Sequence, residues 1–409
     1  MPFSGRSSSS PFSLLRRSIF RSRKDQVHSM ESDTDSDARY SELESFQNQV
    51  HDRLSDLSAD TADQFLSAAW LQKLLEAFLS CQEDFELILS KNRELITKPP
   101  LDRLVSDYFE RSVKALDICN ATREGIGKIR LWQSHLEIVL AALDSKQRMI
   151  GEGQIRRARK ALMDLALVML QERETGCSSG SRSGCRSSSF SRRNRSFGHW
   201  KSRNDPNAPP QLSHSRSLSW SVSQSWSASK QLQSFANSLI PPRGNEVVAT
   251  KGLIVPIFTM NCVVMYVLWA LVVSIPCQDR GFPVQFLIPR LYSWSDPLIS
   301  LRDRVMDMFR MCETRNCGGL LEEVREIENC IYRLTDMVES IEFPVKKEEK
   351  EKIERRTREL SAVFEDCKKG LEKLEQQVKE VFQKIMNCRT VGLQLLKKDA
   401  LPHYREGRT

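Results

Sequence analysis

Residues 253–275, LIVPIFTMNCVVMYVLWALVVSI, run for 23 positions without a charged side chain. No other stretch limits the fold as tightly. Coiled as a helix it would reach about 34 Å, enough to cross a hydrocarbon core of about 30 Å. A helix that is apolar on every side also suits the centre of a large helical bundle, and Pro256, Thr259 and Asn261 are easier to place there than in lipid. Arg243 and Lys251 before the segment, and Arg280 and Arg290 after it, assign no inside face. Two folds therefore stay open. One is a single membrane span with its ends at Leu253 and Ile275, and the other is a core helix sheathed by neighbours.

Stripes that could form such a sheath lie on both sides. Toward the C-terminus, Leu320, Val324, Ile327, Ile331, Leu334, Val338 and Ile341 alternate steps of four and three. Phe343-Pro344 interrupts, and Phe364, Cys367, Leu371, Leu374, Val378, Val381, Ile385 and Cys388 resume the pattern. This spacing predicts two long helices folded into a hairpin over 318–396. Val363, Phe382 and Met386 widen the stripe beyond a two-stranded coiled-coil seam, so the hairpin is expected to pack inside a bundle. The charged run KKEEKEKIERR after the interruption reads as a solvated face.

Toward the N-terminus, Leu43, Phe46, Val50, Leu54 and Leu57 form one stripe. Leu71, Leu74, Leu75, Phe78, Cys81, Phe85, Ile88 and Leu89 form a second, which Pro99-Pro100 closes. Leu101, Leu104, Tyr108, Leu116 and Cys119 mark a third helix, and Ile126, Ile129, Leu136, Val139, Leu140 and Leu143 a fourth. A fifth follows Gly151 and Gly153 and ends near Glu174. Connections this short favour antiparallel neighbours, so 40–174 reads as an N-terminal helical bundle.

Between the two helical regions, residues 175–246 carry twenty-one serines and little helical periodicity. That composition predicts a basic, disordered Ser/Arg-rich linker, because too little apolar surface is available to offset the entropy of ordering it. Near its end Ala228, Leu232, Phe235 and Leu239 fall on one helical face. The expected fold is thus all-α: an elongated multi-helix bundle with this long linker and a C-terminal helical hairpin. Residues 1–39 form a tail, 40–174 the first bundle, 175–246 the linker and 247–400 the C-terminal helical region.

The net charge of +8 is confined to the segments without helical pattern. Residues 175–246 hold ten Arg or Lys against two acids, and residues 1–24 hold six more cations and no acid, which leaves the remainder, with its helical patterns, acidic by six charges. A folded basic groove for nucleic acid is therefore not indicated, and no RNA-stacking platform appears. The Arg- and Ser-rich start has the composition of a transit peptide, but the acidic cluster ESDTDSD at 31–37 follows at once, so a disordered basic tail touching anionic lipid is preferred. With Pro at position 2, N-myristoylation is excluded.

Chemistry leaves few traces. The eleven cysteines include no CxxC pair, and most sit at apolar helical positions, as expected for free thiols in a reducing compartment. The histidines are isolated, and no phosphate-binding glycine loop, HExxH or GxSxG motif occurs. No catalytic, cofactor or metal residue is assigned, and the chain is not expected to be an enzyme.

Residues 217–229 read SLSWSVSQSWSAS, with serine at every odd position. In an extended segment Trp220, Val222 and Trp226 would share one side and the hydroxyls the other. Two readings remain: the stripe folds back onto the helical body, or it is a docking peptide. Arginines just upstream of Ser196, Ser217 and Ser219 mark these as phosphorylation candidates, with Ser215 beside Arg216 as a fourth, and each phosphate would add about −1.5 to −2 charges to a cationic segment.

The stretch HSRSLSWSVSQSWSASKQLQ (214–233), the block GLIVPIFTMNCVVMYVLWALVVSIPCQDRG after it, and the early run FLSAAWLQKLLEAFLSCQEDFELIL together resemble the plant BYPASS-related proteins, in particular their ROH branch. The similarity extends from about Ser41 to Leu396. The resemblance implies a non-enzymatic helical protein that binds the seventy-kilodalton subunit of the exocyst and influences polarised secretion and cell-wall deposition. The BYPASS branch is associated instead with a root-derived developmental signal, and with a span at 253–275 the alternative is a single-pass membrane-anchored regulator of that root-to-shoot signal. Neither carries a catalytic residue or a cofactor onto this sequence.

Overall fold

The structure is a computed structural model that describes residues 31–61, 64–144, 150–176, 227–275, 284, 286–313 and 319–398. Among these are eleven helices and no strand. They are α1 (Glu31–Ala59), α2 (Ala68–Lys91), α3 (Arg93–Ile96), α4 (Leu101–Leu143), α5 (Glu152–Gly176) and α6 (Ala228–Asn237), followed by α7 (Gly244–Ala249), α8 (Ile254–Ser274), α9 (Ser295–Glu313), α10 (Glu322–Glu339) and α11 (Lys347–Lys398).

The uncharged block becomes α8, and every residue from Ile254 to Val272 is buried. Its cover comes from α1, α2, α4, α6 and α9. Pro256 stands in the first turn, where its missing N–H removes no helical bond. Leu253 and Ile275, the ends of the candidate span, are the capping residues of α8, and both are buried in protein. The turn that feeds α8 places Lys251 at φ 50° and Gly252 at φ 85°, and the Gly252 N–H donates to Val247 O at 2.8 Å to close α7. A side chain at Gly252 would be strained in that left-handed conformation.

Helices α2 and α4 are shared by two packing groups. Both touch α8, and both touch the long α11, which also pairs with α10 in the expected hairpin. Helix α5 lies on α4 and α10. The predicted stripes are the buried ones. Val324, Ile327, Ile331, Leu334 and Val338 on α10, and Phe364, Cys367, Leu371, Leu374, Val378 and Val381 on α11, belong to one continuous core with Leu71, Phe78 and Phe85 of α2. The helical regions before and after the serine-rich stretch therefore close on each other.

Four boundaries differ from the sequence pattern. The third and fourth predicted helices are one helix of 43 residues, α4, because Thr122, Gly125 and Ile126 continue the buried stripe across the expected break and no proline interrupts it. Helix α11 begins within the charged run, with Ile353 as its first fully buried anchor. Helix α1 begins at Glu31, inside the expected tail, and 227–246 is not linker: α6 buries Ala228, Leu232 and Phe235 against α4 and α8.

Candidate functional site

Helix α8 is held in place by polar contacts that lipid could not supply. The Thr259 hydroxyl donates to Gln47 Oε1 of α1 at 3.0 Å. The indole N–H of Trp294 donates to the same oxygen at 2.6 Å and lies 3.1 Å from Thr259 Oγ1. Tyr292 stacks on Trp294 with centroids 5.1 Å apart, and Phe258 packs against both rings. Two residues along and on another side of the helix, Asn261 donates to Ile257 O and accepts from the Arg111 guanidinium of α4 at 3.4 Å. The two polar side chains that made a core placement attractive thus have partners on neighbouring helices, as buried polar groups require.

The opposite end of α8 meets a second junction. The Leu320 and Leu321 N–H groups donate to Val273 O and Ser274 O, and the Glu322 N–H donates to Leu66 O. Leu66 sits at φ 60°, an uncommon conformation for a branched residue, and is completely buried. Next to it, the Glu323 carboxylate accepts the Ala68 N–H that begins α2, while Ser67 caps the same helix by accepting from Trp70 N at 3.1 Å. Burial raises the Glu323 carboxyl above its ordinary range, and the hydrogen bond from Ala68 works against that rise.

Four of the buried cysteines are poorly suited to act as nucleophiles. Burial pushes the thiols of Cys119, Cys367 and Cys388 up to about 12 and raises that of Cys262 further, so all stay protonated at neutral pH. His51 makes a 2.8 Å contact to Ser293 O, and His135 one of 3.0 Å to Leu131 O within its own helix. Among the described residues no group of three or more His, Cys, Asp or Glu side chains is arranged to hold a metal ion.

Trp220, Val222 and Trp226, and the serines Ser196, Ser215, Ser217 and Ser219, lie outside the described residues. The structure does show where their segment rejoins the fold. Ser227 caps α6 by accepting from Lys230 N at 3.3 Å, and Lys114 of α4 donates to Ser234 at 2.8 Å. What the sequence reading missed is the connection after α6, where Ile240 is 76% exposed and Val248 47% exposed. The signal was present as an isoleucine beyond the last buried position of α6 and directly before Pro241-Pro242.

The chain matches the family described as Protein ROH1-like over residues 8–396. It is 46% identical over 392 residues to Protein ROH1D of Arabidopsis thaliana, covering 93% of this chain and 96% of that protein. It is 31% identical over 388 residues to Protein ROH1A of the same plant, covering 90% and 92% of the two chains. No solved structure matches it.

Proposed function

The chain belongs to the ROH1-like family, and we propose that it is a non-enzymatic helical adaptor that offers its outer helix faces to the seventy-kilodalton subunit of the exocyst and so acts in polarised secretion and cell-wall deposition. The observation that carries this reading is the joining of both helical regions into one core, with the 52-residue α11 laid along α2, α4 and α10. A rod of this kind gives a partner a long, pre-organised helical surface, and binding it costs little ordering entropy. Thiols held protonated by burial also favour recognition over nucleophilic catalysis.

In this reading the basic segments supply attachment to an anionic membrane surface, and phosphates at Ser196, Ser215, Ser217 or Ser219 weaken it by cancelling charge. The membrane-anchored alternative requires α8 in lipid, and its cover by five helices favours peripheral attachment instead. Co-precipitation with each isoform of the exocyst subunit tests the partner: capture of at least one is expected, and failure with all of them would remove the reading. Alanine at Ser215, Ser217 and Ser219 tests the phosphate control, with a shift in membrane attachment in cells as the expected result.

A further inference from the structure

One end of the bundle combines features that suit a lipid surface. Helices α1 and α8 run in the same direction: Thr259, near the start of α8, meets Gln47 in the middle of α1, while the consecutive Leu321 and Glu322 N–H groups bridge Ser274, at the end of α8, to Leu66, beyond the end of α1. The start of α1 and the chain leading into α8 therefore share an end. That leading chain, between α6 and α8, exposes Ile240 and Val248, with Pro241 also at the surface. Two exposed cations, Arg243 and Lys251, stand on the same connection. Its one acid, Glu246, accepts the Arg243 backbone N–H at 2.7 Å in the cap of α7.

Two strongly basic segments adjoin these elements in sequence. Residues 177–226, with eight Arg or Lys against one acid, end where Ser227 opens α6, and ten residues of helix later the chain reaches Ile240. Residues 1–24, with six cations and no acid, lead to the start of α1 at this end. Helix α1 opens in sequence with Glu31, Asp33, Asp35 and Asp37, so the α6–α8 connection, and not α1, carries the exposed cations at this end. A protruding aliphatic side chain followed by two prolines and flanked by cations is the pattern of a shallow membrane insertion, in which apolar burial and headgroup attraction act together.

We infer that the connection Ile240–Lys251 is a membrane-contact edge, which inserts Ile240 and Val248 among the headgroups of an anionic bilayer while Arg243 and Lys251 pair with lipid phosphates or carboxylates. This rests on the peripheral-attachment part of the reading above and is independent of the exocyst partner.

The test is co-sedimentation of the full chain with phosphatidylcholine vesicles containing or lacking phosphatidylserine, with no exocyst protein present. Wild-type protein is expected to bind the anionic vesicles and not the neutral ones. Ile240→Ser with Val248→Ser should weaken binding by about tenfold through lost apolar burial. Arg243→Gln with Lys251→Gln should weaken it by about fivefold per charge. Leu287→Ser is the control: Leu287 is 86% exposed, and its neighbour Phe286 packs on Trp269, far along α8 from this end. All four positions in the test variants are at the surface, and unchanged thermal melts would show that the fold survives. If wild-type protein ignores anionic vesicles, both the attachment reading and this edge are overturned; if it binds and the Ile240/Val248 variant binds equally well, the edge alone is overturned.

Discussion

The carboxylate of Glu323, at the start of α10, accepts the backbone N–H of Ala68, at the start of α2, at 2.9 and 3.1 Å across 255 residues of sequence. A side chain from the C-terminal hairpin thereby completes the cap of an N-terminal helix. Replacing Glu323 with Ala leaves that donor without its acceptor and should destabilise the fold by about 1–3 kcal/mol, whereas Gln, which retains an acceptor oxygen, should cost less. Urea midpoints of the three proteins would check the order.

The same residue predicts a pH dependence. Burial raises the folded-state pKa of Glu323 above its ordinary 4.5, with Glu322 and Glu326 adding to the rise. The folded protein therefore holds this proton more tightly than the unfolded chain. Its contribution is fully present below the ordinary value and is lost as pH climbs through the raised folded value. Stability measured from pH 4 upward should show this falling component in the wild type, and Glu323→Gln should lack it.

Glycines on the long helices should respond in opposite directions. An added Cβ at Gly392 of α11 would overlap the Phe109 ring, and the Arg389 guanidinium next to it donates to Phe109 O. Gly392→Ala should lift the end of α11 from α4, cost about 1–3 kcal/mol, and speed hydrogen exchange around 389–396. Gly127, exposed in the middle of α4 with nothing near its would-be Cβ, should gain about 0.5–1 kcal/mol as Ala.

These contrasts show what was legible in the sequence. The stripes from Leu71 to Leu89 and from Phe364 to Cys388 predicted helix type and buried face because each depends only on neighbours three and four residues away. The role of 253–275 was not decidable in that way, since lipid and a protein core select the same apolar composition. What decides its cover is a set of contacts such as Thr259 to Gln47, separated by 212 residues, and Trp294 to Gln47, separated by 247, which leave no local trace. The join across Gly125 was missed for a different reason: a glycine in a helix interior lowers propensity, yet packing of Thr122, Ile126 and Ile129 overrides it.

The Gln47 node should be sharply asymmetric. Gln47→Leu removes the acceptor of the buried Thr259 hydroxyl, at about 1–3 kcal/mol, while the Trp294 N–H keeps Thr259 Oγ1 at 3.1 Å as its acceptor. Thr259→Val leaves Gln47 Oε1 still satisfied by Trp294 and should cost only about 0.5–1.5 kcal/mol. Thermal melts of the single and double variants should show non-additivity, because the residues share one network.

Alkaline carbonate extraction of plant membranes addresses α8 itself. If α8 crossed the bilayer, Thr259 and Asn261 would have to leave Gln47 and Arg111, and the apolar faces of α2, α4 and α6 that now cover it would be exposed to water. Uncovering so much of a shared core would cost far more than the few kcal/mol by which a folded domain is usually stable. The chain should therefore appear in the carbonate supernatant, as should a variant with Val264→Asn, which would destabilise the bundle but could not convert a span into a soluble helix. Retention of the wild-type chain in the pellet would mean that lipid, and not α1, α2, α4, α6 and α9, surrounds residues 254–274.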